Sequence, residues 1–474
     1  MLLRILSLCF VCAISAFSAE LHYDCAQFVK EGLARDPQLA ETRFSTDEKQ
    51  NKLSAIKYGA ILPKFEADML VGPAPGLKDA VNDWGDTVET WDFTKMGPFF
   101  GAQVKAVQPL NYGQYKVGKK AAEADLRQQQ MKVAGAENDK SVELQGYYYN
   151  YLYAQEMLKL AQDAKTQVDK AYDKMEEALD EDEDEDEEDS TDSAASGKKK
   201  GKVSQMDFLQ LKAQRHVVDE AMIDAQSGLD QLKLAVKFSL NLQDGDTFVP
   251  ADSALTMRPE PLPSLDDAKD MALNRSPELK RLNAGLSARS YQMELAETKL
   301  GPEFFIMGEF TYAKSWAGSR KEIQKDAFAQ DAVNKITGTV GIGVQYKLNF
   351  WSNWESYKAA RSDYRALKLK GNYAAEGIQM RVEEQYLKVT ALKAKVESLD
   401  ESMRASAAIL KGAAIQYDLD PSDTGPLVSA YKQNLELQKD YYSAVCKYNI
   451  AFAELLSRIG IPLSEYQSLQ GESK

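Results

Sequence analysis

Histidine is nearly missing from this chain, with two in 474 residues, and cysteine is scarce, with four. That removes the material for most zinc sites and for His-based nucleophilic catalysis. No glycine-rich phosphate loop stands between a strand pattern and a helix pattern. No catalytic, cofactor-binding or metal-ligating set is expected, and an enzyme is not the reading. Long apolar runs are also missing and the mean hydropathy is −0.45, which excludes a bundle of membrane-spanning helices. It leaves open a β-barrel, whose alternating strands escape a hydropathy scan. Basic residues are in deficit, 58 against 72 acids, so nucleic acid would be repelled rather than steered in. Proline is absent from 110 to 249 and again from 303 to 420.

The amino terminus carries Arg4 and then a short apolar run ending in small residues. That is the pattern of a signal peptide over 1–18, cut after Ser18. An exported protein whose later apolar runs are too short to span must use strands for any membrane insertion. The mature chain keeps Cys25 and Cys446. Two separate buried thiols and one disulfide in an oxidising compartment both fit.

The chain is written twice. Arg35-Asp-Pro37-Gln-Leu39 recurs as Arg275-Ser-Pro277-Glu-Leu279, Leu62-Pro63-Lys-Phe65 as Gly301-Pro302-Glu-Phe304, and Leu110-Asn111-Tyr112 as Leu348-Asn349-Phe350. The boundaries read as a first repeat over 19–241, a linker over 242–263, a second repeat over 264–460 and a tail over 461–474. In each half, a polar residue followed by proline opens a helix. Two alternating segments follow, about 64–72 and 98–108 in the first half, 303–313 and 338–348 in the second. Val340, Ile342, Val344, Tyr346 and Leu348 alternate with Gly341, Gly343, Gln345 and Lys347. Period two with one apolar face is a half-buried strand. About ten residues is the length a tilted strand needs to cross a bilayer. Polar members of the alternation, Glu66, Asp68, Gln103, Lys105, Glu309, Gln345 and Lys347, would face a lumen.

The proline-free stretches that follow are rich in Ala, Gln, Lys, Glu and Leu, all helix formers. Residues 113–178 as one helix would make a rod of roughly 100 Å. Shorter helices return, giving hairpins over about 113–240 and 353–459. A globular core cannot bury such rods, so they must pack on one another as coiled coils. Four strands cannot close a barrel, since about eight is the small-barrel minimum. Three copies would supply twelve strands. The fold class expected is mixed and mainly α: duplicated helical hairpins plus four strands per subunit of a shared barrel. A non-conducting coiled-coil protein of the periplasm or cell surface is the alternative.

This plan resembles the TolC-like outer membrane efflux protein family over essentially the whole mature chain. The resemblance rests on the duplicated helix starts at Pro37 and Pro277, the helix-to-strand prolines Pro63 and Pro302, the Gln-Pro-Leu-Asn-Tyr-Gly run at 108–113, and Gly460 after Leu456. It implies a homotrimer in outer-membrane lipid, with a periplasmic helical barrel and an equatorial belt. It also implies a passive exit duct for efflux or type I secretion, joined to an inner-membrane pump through a periplasmic adaptor. By the same resemblance, 73–97 and 314–337 are outer loops, and 242–263 with the tail forms the belt. The hairpin tips would hold the gate, with Asp207, Tyr417, Asp418, Asp420 and Asp423 its candidate carriers. The family's second-turn positions fall here on Pro426 and Ser429.

An acidic insertion over 176–202 holds 13 acids and 4 lysines. It reads as a solvated loop, a contact for a basic adaptor surface, or a divalent-cation binder. The tyrosine cluster 147–153 reads as interhelical packing in preference to a substrate box. His216 reads as a surface or interface residue.

Overall fold

In a computed structural model, residues 20–188, 205–243, 245–317, 330–346, 348–419, 425–462 and 465–466 are described. The expected signal peptide 1–18, the acidic insertion beyond Glu188, Asp420, Asp423, Lys347 and the last tail residues lie outside them. In chain order the elements are β1 (Glu20–Tyr23), α1 (Cys25–Arg35), α2 (Pro37–Ile61), β2 (Lys64–Val81), β3 (Thr87–Pro109), α3 (Tyr112–Glu188) and α4 (Gln205–Ser239). There follow β4 (Thr247–Pro250), α5 (Leu265–Arg275), α6 (Pro277–Thr298), β5 (Glu303–Ser315), β6 (Lys335–Gln345), α7 (Phe350–Leu419) and α8 (Gly425–Ile459). The helix pair α1–α2 and the strands and hairpin after it recur as α5–α6 and its successors. The chain divides into two units, one of 1–43, 132–279 and 374–474, the other of 44–131 and 280–373.

Helix breaks in the first unit follow from proline. Asp36 precedes Pro37 and is pushed to an extended backbone (φ −69°, ψ 120°), which ends α1. Its carboxylate then caps α2 by accepting from the Leu39 N–H at 2.9 Å and pairs with Lys140 at 3.1 Å. Ser276 does the equivalent job before Pro277, closing α5 with its N–H on the Ala272 carbonyl. The chain leaves α8 through Gly460 at φ +79°, where a side chain would be strained and a Cβ would sit 2.8 Å from the Arg275 carbonyl oxygen.

The core of this unit is aromatic. Phe28 and Tyr148 are fully buried and sit 5.8 Å apart, with Phe248 5.1 Å from Phe28 and 5.3 Å from Tyr151. Thus the tyrosines of 147–153 pack on α1 and on the linker strand β4 as well as on helices. Tyr148 donates to Asp252 at 2.7 Å, and burial pushes its phenol far above the ordinary range. The linker 242–263 is tied down by the parallel pairing of β4 with β1. The tail joins it through Tyr466, which donates to the Pro261 carbonyl at 2.5 Å.

The possible disulfide is not made. Cys25 and Cys446 are both free and buried. The physical reason is separate partners. The Cys25 thiol faces Tyr149 and Arg258, while Cys446 donates to the Asn150 side-chain oxygen at 3.5 Å.

The second unit holds one antiparallel sheet of order β2-β3-β5-β6. The sequence reading placed a polar outer loop at 73–97. Instead β2 and β3 continue as a ribbon to a turn at Asn82–Asp86, and span 18 and 23 residues. Asn82 forms the turn by accepting from the Trp84 and Asp86 N–H groups at 3.0 and 2.7 Å, with Gly85 at φ +86°. Pro73, Pro75 and Pro98 fall within this ribbon. They are tolerated because β3 pairs with β5 only from Phe99 onward and the register shifts at Pro75/Gly76.

Burial alone would raise the Asp36 carboxyl, but the Leu39 amide and the Lys140 ammonium outweigh it and hold it below the usual carboxylate range. A depressed carboxylate adds stability that is present above its unfolded value and lost as pH falls through the folded one. Asp36→Asn should therefore cost about 1–3 kcal/mol at neutral pH. The variant should lose less further stability than the parent between about pH 4 and pH 2. Denaturant unfolding in detergent at both pH values measures this, and parallel curves would contradict it.

Candidate conduit surface

Register decides which side chains share a face. Pairing of Glu66 with Lys105, Lys105 with Glu309 and Glu309 with Thr339 puts these four in one row across the sheet. The next row is Asp68, Gln103, Thr311 and Thr337, and Glu303 lies opposite Gln345 further along. Six of the seven residues expected on the polar face are therefore on one face: Glu66, Asp68, Gln103, Lys105, Glu309 and Gln345. Within it, Gln103 donates to Glu309 at 2.5 Å.

The opposite face is apolar across all four strands. Its rows run Phe65, Ala106, Gly308, Val340, then Ala67, Val104, Phe310, Gly338, then Met69, Ala102, Tyr312, Ile336. These side chains are not a core. Val340 is 85% exposed, Ile342 78% and Met69 75%. A contiguous apolar face open to the surroundings is what a lipid contact or a partner covers. Among the described residues the outer strands β2 and β6 each have one neighbour, so each carries a row of backbone donors and acceptors unpaired by these strands.

The sheet is locked to its helices and closed at its far end by amides and carboxylates. Asn111 opens α3 and accepts from the Phe304 N–H at 2.9 Å, while the Leu110 N–H donates to the Phe304 carbonyl at 2.8 Å. This explains the Leu-Asn-Tyr run: asparagine ties the strand exit of one repeat to the strand entry of the other. Beyond β5, Asp331 is buried and accepts from the N–H groups of Val333 and Asn334 at 2.9 and 2.6 Å. Asn334 in turn accepts from the Ser315 N–H at 3.1 Å. The Asp331–Asn334 cap was not foreseen, because nothing in the spacing of those residues shows that they fold back on Ser315.

In the other unit, α3 and α4 are clamped near their far ends. Arg215 donates to Asp169 at 2.8 Å and lies 4.8 Å over the Tyr172 ring, and Lys165 pairs with Asp219. Tyr172 stacks on Phe208 at 5.0 Å, and Tyr431 and Leu435 of α8 join this cluster. Burial, then Asp163, pushes the Tyr431 phenol up to about 12. The α7–α8 pair is joined by amides and by one ion pair, Lys388 to Glu454 at 3.1 Å. Gln385 donates to the Ala451 carbonyl at 2.9 Å and to Glu454 at 2.8 Å, and Asn434 donates to Ser406 at 3.4 Å. Of the expected gate residues, Asp207 stands at the start of α4, with Tyr417 and Asp418 at the end of α7. His216 is exposed on α4.

Sequence reasoning also missed Arg258. It is buried in the linker, donates to the Tyr149 hydroxyl at 2.7 Å and to Gln145 at 3.4 Å, and lies 5.7 Å over the Phe452 ring. Its backbone N–H donates to Asn449 at 3.1 Å. One cation thus ties the linker to α3 and α8.

A protein-family model described as outer membrane efflux protein matches residues 269–419. The outer-membrane channel OprN superposes with a TM-score of 0.70 at 14% identity, covering 92% of this chain and 90% of its own. CusC gives 0.71 at 12% identity, covering 94% of each chain. The open state of the Neisseria gonorrhoeae MtrE outer membrane channel gives 0.69 at 14%, covering 92% and 89%. No curated protein matches the chain. The resemblance read from the sequence is met by the family match over 269–419 and by this shared fold.

Asp331→Ala should leave the N–H groups of Val333 and Asn334 and the Asn334 side-chain amide without their acceptor and cost about 1–3 kcal/mol locally. Limited proteolysis should then cut within 315–334 well before the parent protein is cut there. An unchanged cleavage pattern would count against the cap.

Proposed function

We propose, on the fold it shares with outer membrane efflux channels, that this protein is a passive exit duct in the outer membrane of an exporting cell. The observation that carries the reading is the sheet with one exposed apolar face, one polar face and two open edges. Three copies would join edge to edge into a twelve-stranded barrel, apolar face to lipid and Glu66, Asp68, Gln103, Lys105, Glu309 and Gln345 to water. Lys347 continues the same alternation.

The duct performs no chemistry. Residue content supports this, since the polar face offers carboxylates, amides and a lysine but no activated nucleophile. An inner-membrane pump supplies the energy, and a periplasmic adaptor joins pump to duct. The helical hairpins form the periplasmic conduit, and their tips form the gate, with Asp207, Tyr417, Asp418, Asp420 and Asp423 as its candidate residues. Opening requires the tips to part, a switch between two helix packings. The joints of the two pairs differ: ion pairs and an arginine–tyrosine stack between α3 and α4, and amides with one ion pair between α7 and α8.

Val340→Arg distinguishes this reading from a non-conducting coiled-coil protein. On a water-exposed face the change is nearly neutral. In lipid at mid-depth it costs about 2–4 kcal/mol. The expected outcome is loss of a heat-modifiable oligomer from the outer-membrane fraction. Normal assembly of Val340→Arg would reject lipid contact at that face.

The charge of the polar face should set ion preference. Glu66→Lys together with Asp68→Lys should move the reversal potential of the reconstituted channel toward anion selectivity by focusing the opposite field. An unmoved reversal potential would show that these side chains do not line the conducting path.

A further inference from the structure

The polar face of the sheet is not polar along its whole length. Val107, Met307 and Gly341 share one row with Lys64, and Pro109, Phe305 and Gly343 share the next row toward the helices. Both rows lie on the same side as Glu66, Lys105 and Glu309, because an even number of residues separates them along each strand. At its helix end, therefore, the charged face gives way to an apolar band. Along β5 the order on this face is Glu303, Phe305, Met307, Glu309. Two apolar side chains are bracketed there by carboxylates whose backbones stand about 20 Å apart.

Glycine shapes this band. A Cβ on Gly343 would meet the Phe305 ring at 2.4 Å, so the ring lies across that glycine, where any larger residue would displace it. One row further, Gly341 has nothing within 4 Å of the place its Cβ would take. The result is a shallow seat, with Gly341 as its floor, Phe305 and Met307 beside it, and Glu309 and Thr339 in the adjoining row. Met307 is 36% exposed and Phe305 is half-buried, so both present surface on this side. The Gln103 amide donates to Glu309 and fixes its carboxylate. In the rows around the seat, Glu66, Asp68, Glu303 and Glu309 stand against two lysines, Lys64 and Lys105.

We propose that this seat binds an organic cation with an aromatic body, of the quaternary ammonium kind. The inference rests on the duct reading, which makes this face a lumen wall. An aromatic ring attracts a desolvated ammonium through its quadrupole. The Met307 thioether is polarizable and packs well against a flat ring. Glu309 supplies the opposite charge, and the open place at Gly341 admits the aromatic body. An anion of the same shape would meet an excess of carboxylates. A cation without an aromatic body would leave Phe305 and Met307 uncovered and gain little from them.

The test uses the protein reconstituted in lipid vesicles and a water-soluble photoreactive probe, a benzophenone bearing a trimethylammonium group. Mass spectrometry of the digest should place the label within 303–309 or 337–345. Benzyltrimethylammonium should compete the label away, whereas tetramethylammonium and benzenesulfonate at equal ionic strength should not. Glu309→Gln should reduce the competed label about twofold to fivefold. Gly341→Val fills the open place without meeting another atom, and should abolish the competed label while the heat-modifiable oligomer still forms. Met307→Asn keeps the glycine and should lower the label about threefold or more, which decides the matter if the valine variant does not assemble. Equal competition by benzenesulfonate, or an unchanged label in Gly341→Val or Met307→Asn, would overturn the seat alone when the same vesicles conduct ions. Competed label at Phe65, Phe304 or Val340 would overturn the duct reading as well, because the opposite face would then be the one in water.

Discussion

Everything about the strand unit depends on its open sheet edges. β2 and β6 each pair on one side only, and a long strand edge left bare offers a template for pairing with any other strand. In lipid the demand is absolute, because no water is present to satisfy a free amide or carbonyl. Four strands with an apolar face on one side and carboxylates on the other cannot meet it alone. In the proposed duct, closure with further copies would satisfy the backbone, and lipid would cover the apolar face. The same argument accounts for the thin packing of that face within the chain, where large side chains such as Val340 and Ile342 stand exposed.

Duplication gives the helical unit a repeated plan but not a symmetric one. Proline after a polar cap breaks the first helix in both halves, at Asp36 and at Ser276. Beyond that point the two hairpins are joined by different chemistry. Ion pairs and an arginine–tyrosine stack hold α3 to α4. The amides of Gln385 and Asn434, the Ser406 hydroxyl and the Lys388–Glu454 ion pair hold α7 to α8.

The linker between the repeats is more than a spacer. Arg258 places a buried guanidinium among Tyr149, Gln145 and Phe452, and its own amide rests on Asn449. Such a cation is held by hydrogen bonds and aromatic faces rather than by a single counter-charge. That arrangement binds α3 of the first repeat and α8 of the second to one segment. It also explains why the Cys25 thiol beside it stays a buried thiol, since burial raises it more than the neighbouring guanidinium lowers it.

The sequence by itself determined the two-fold plan, the strand alternation and the long helices. Those features are local: period two, period 3.6, and proline at fixed places act within a few residues of chain. It also divided the polar from the apolar strand residues, because alternation alone assigns faces. What it misjudged were features in which distant residues decide. The stretch 73–97 reads as an outer loop, whereas the register pairs it as a ribbon and sets Pro73, Pro75 and Pro98 where no third strand needs an amide. Cys25 and Cys446 look like a pair in a list of residues, but each thiol is taken up by its own neighbours. The Asp331–Asn334 cap and the Arg258 tie belong to the tertiary structure alone. Each depends on a side chain meeting groups far away in sequence, and no spacing along the chain records that meeting.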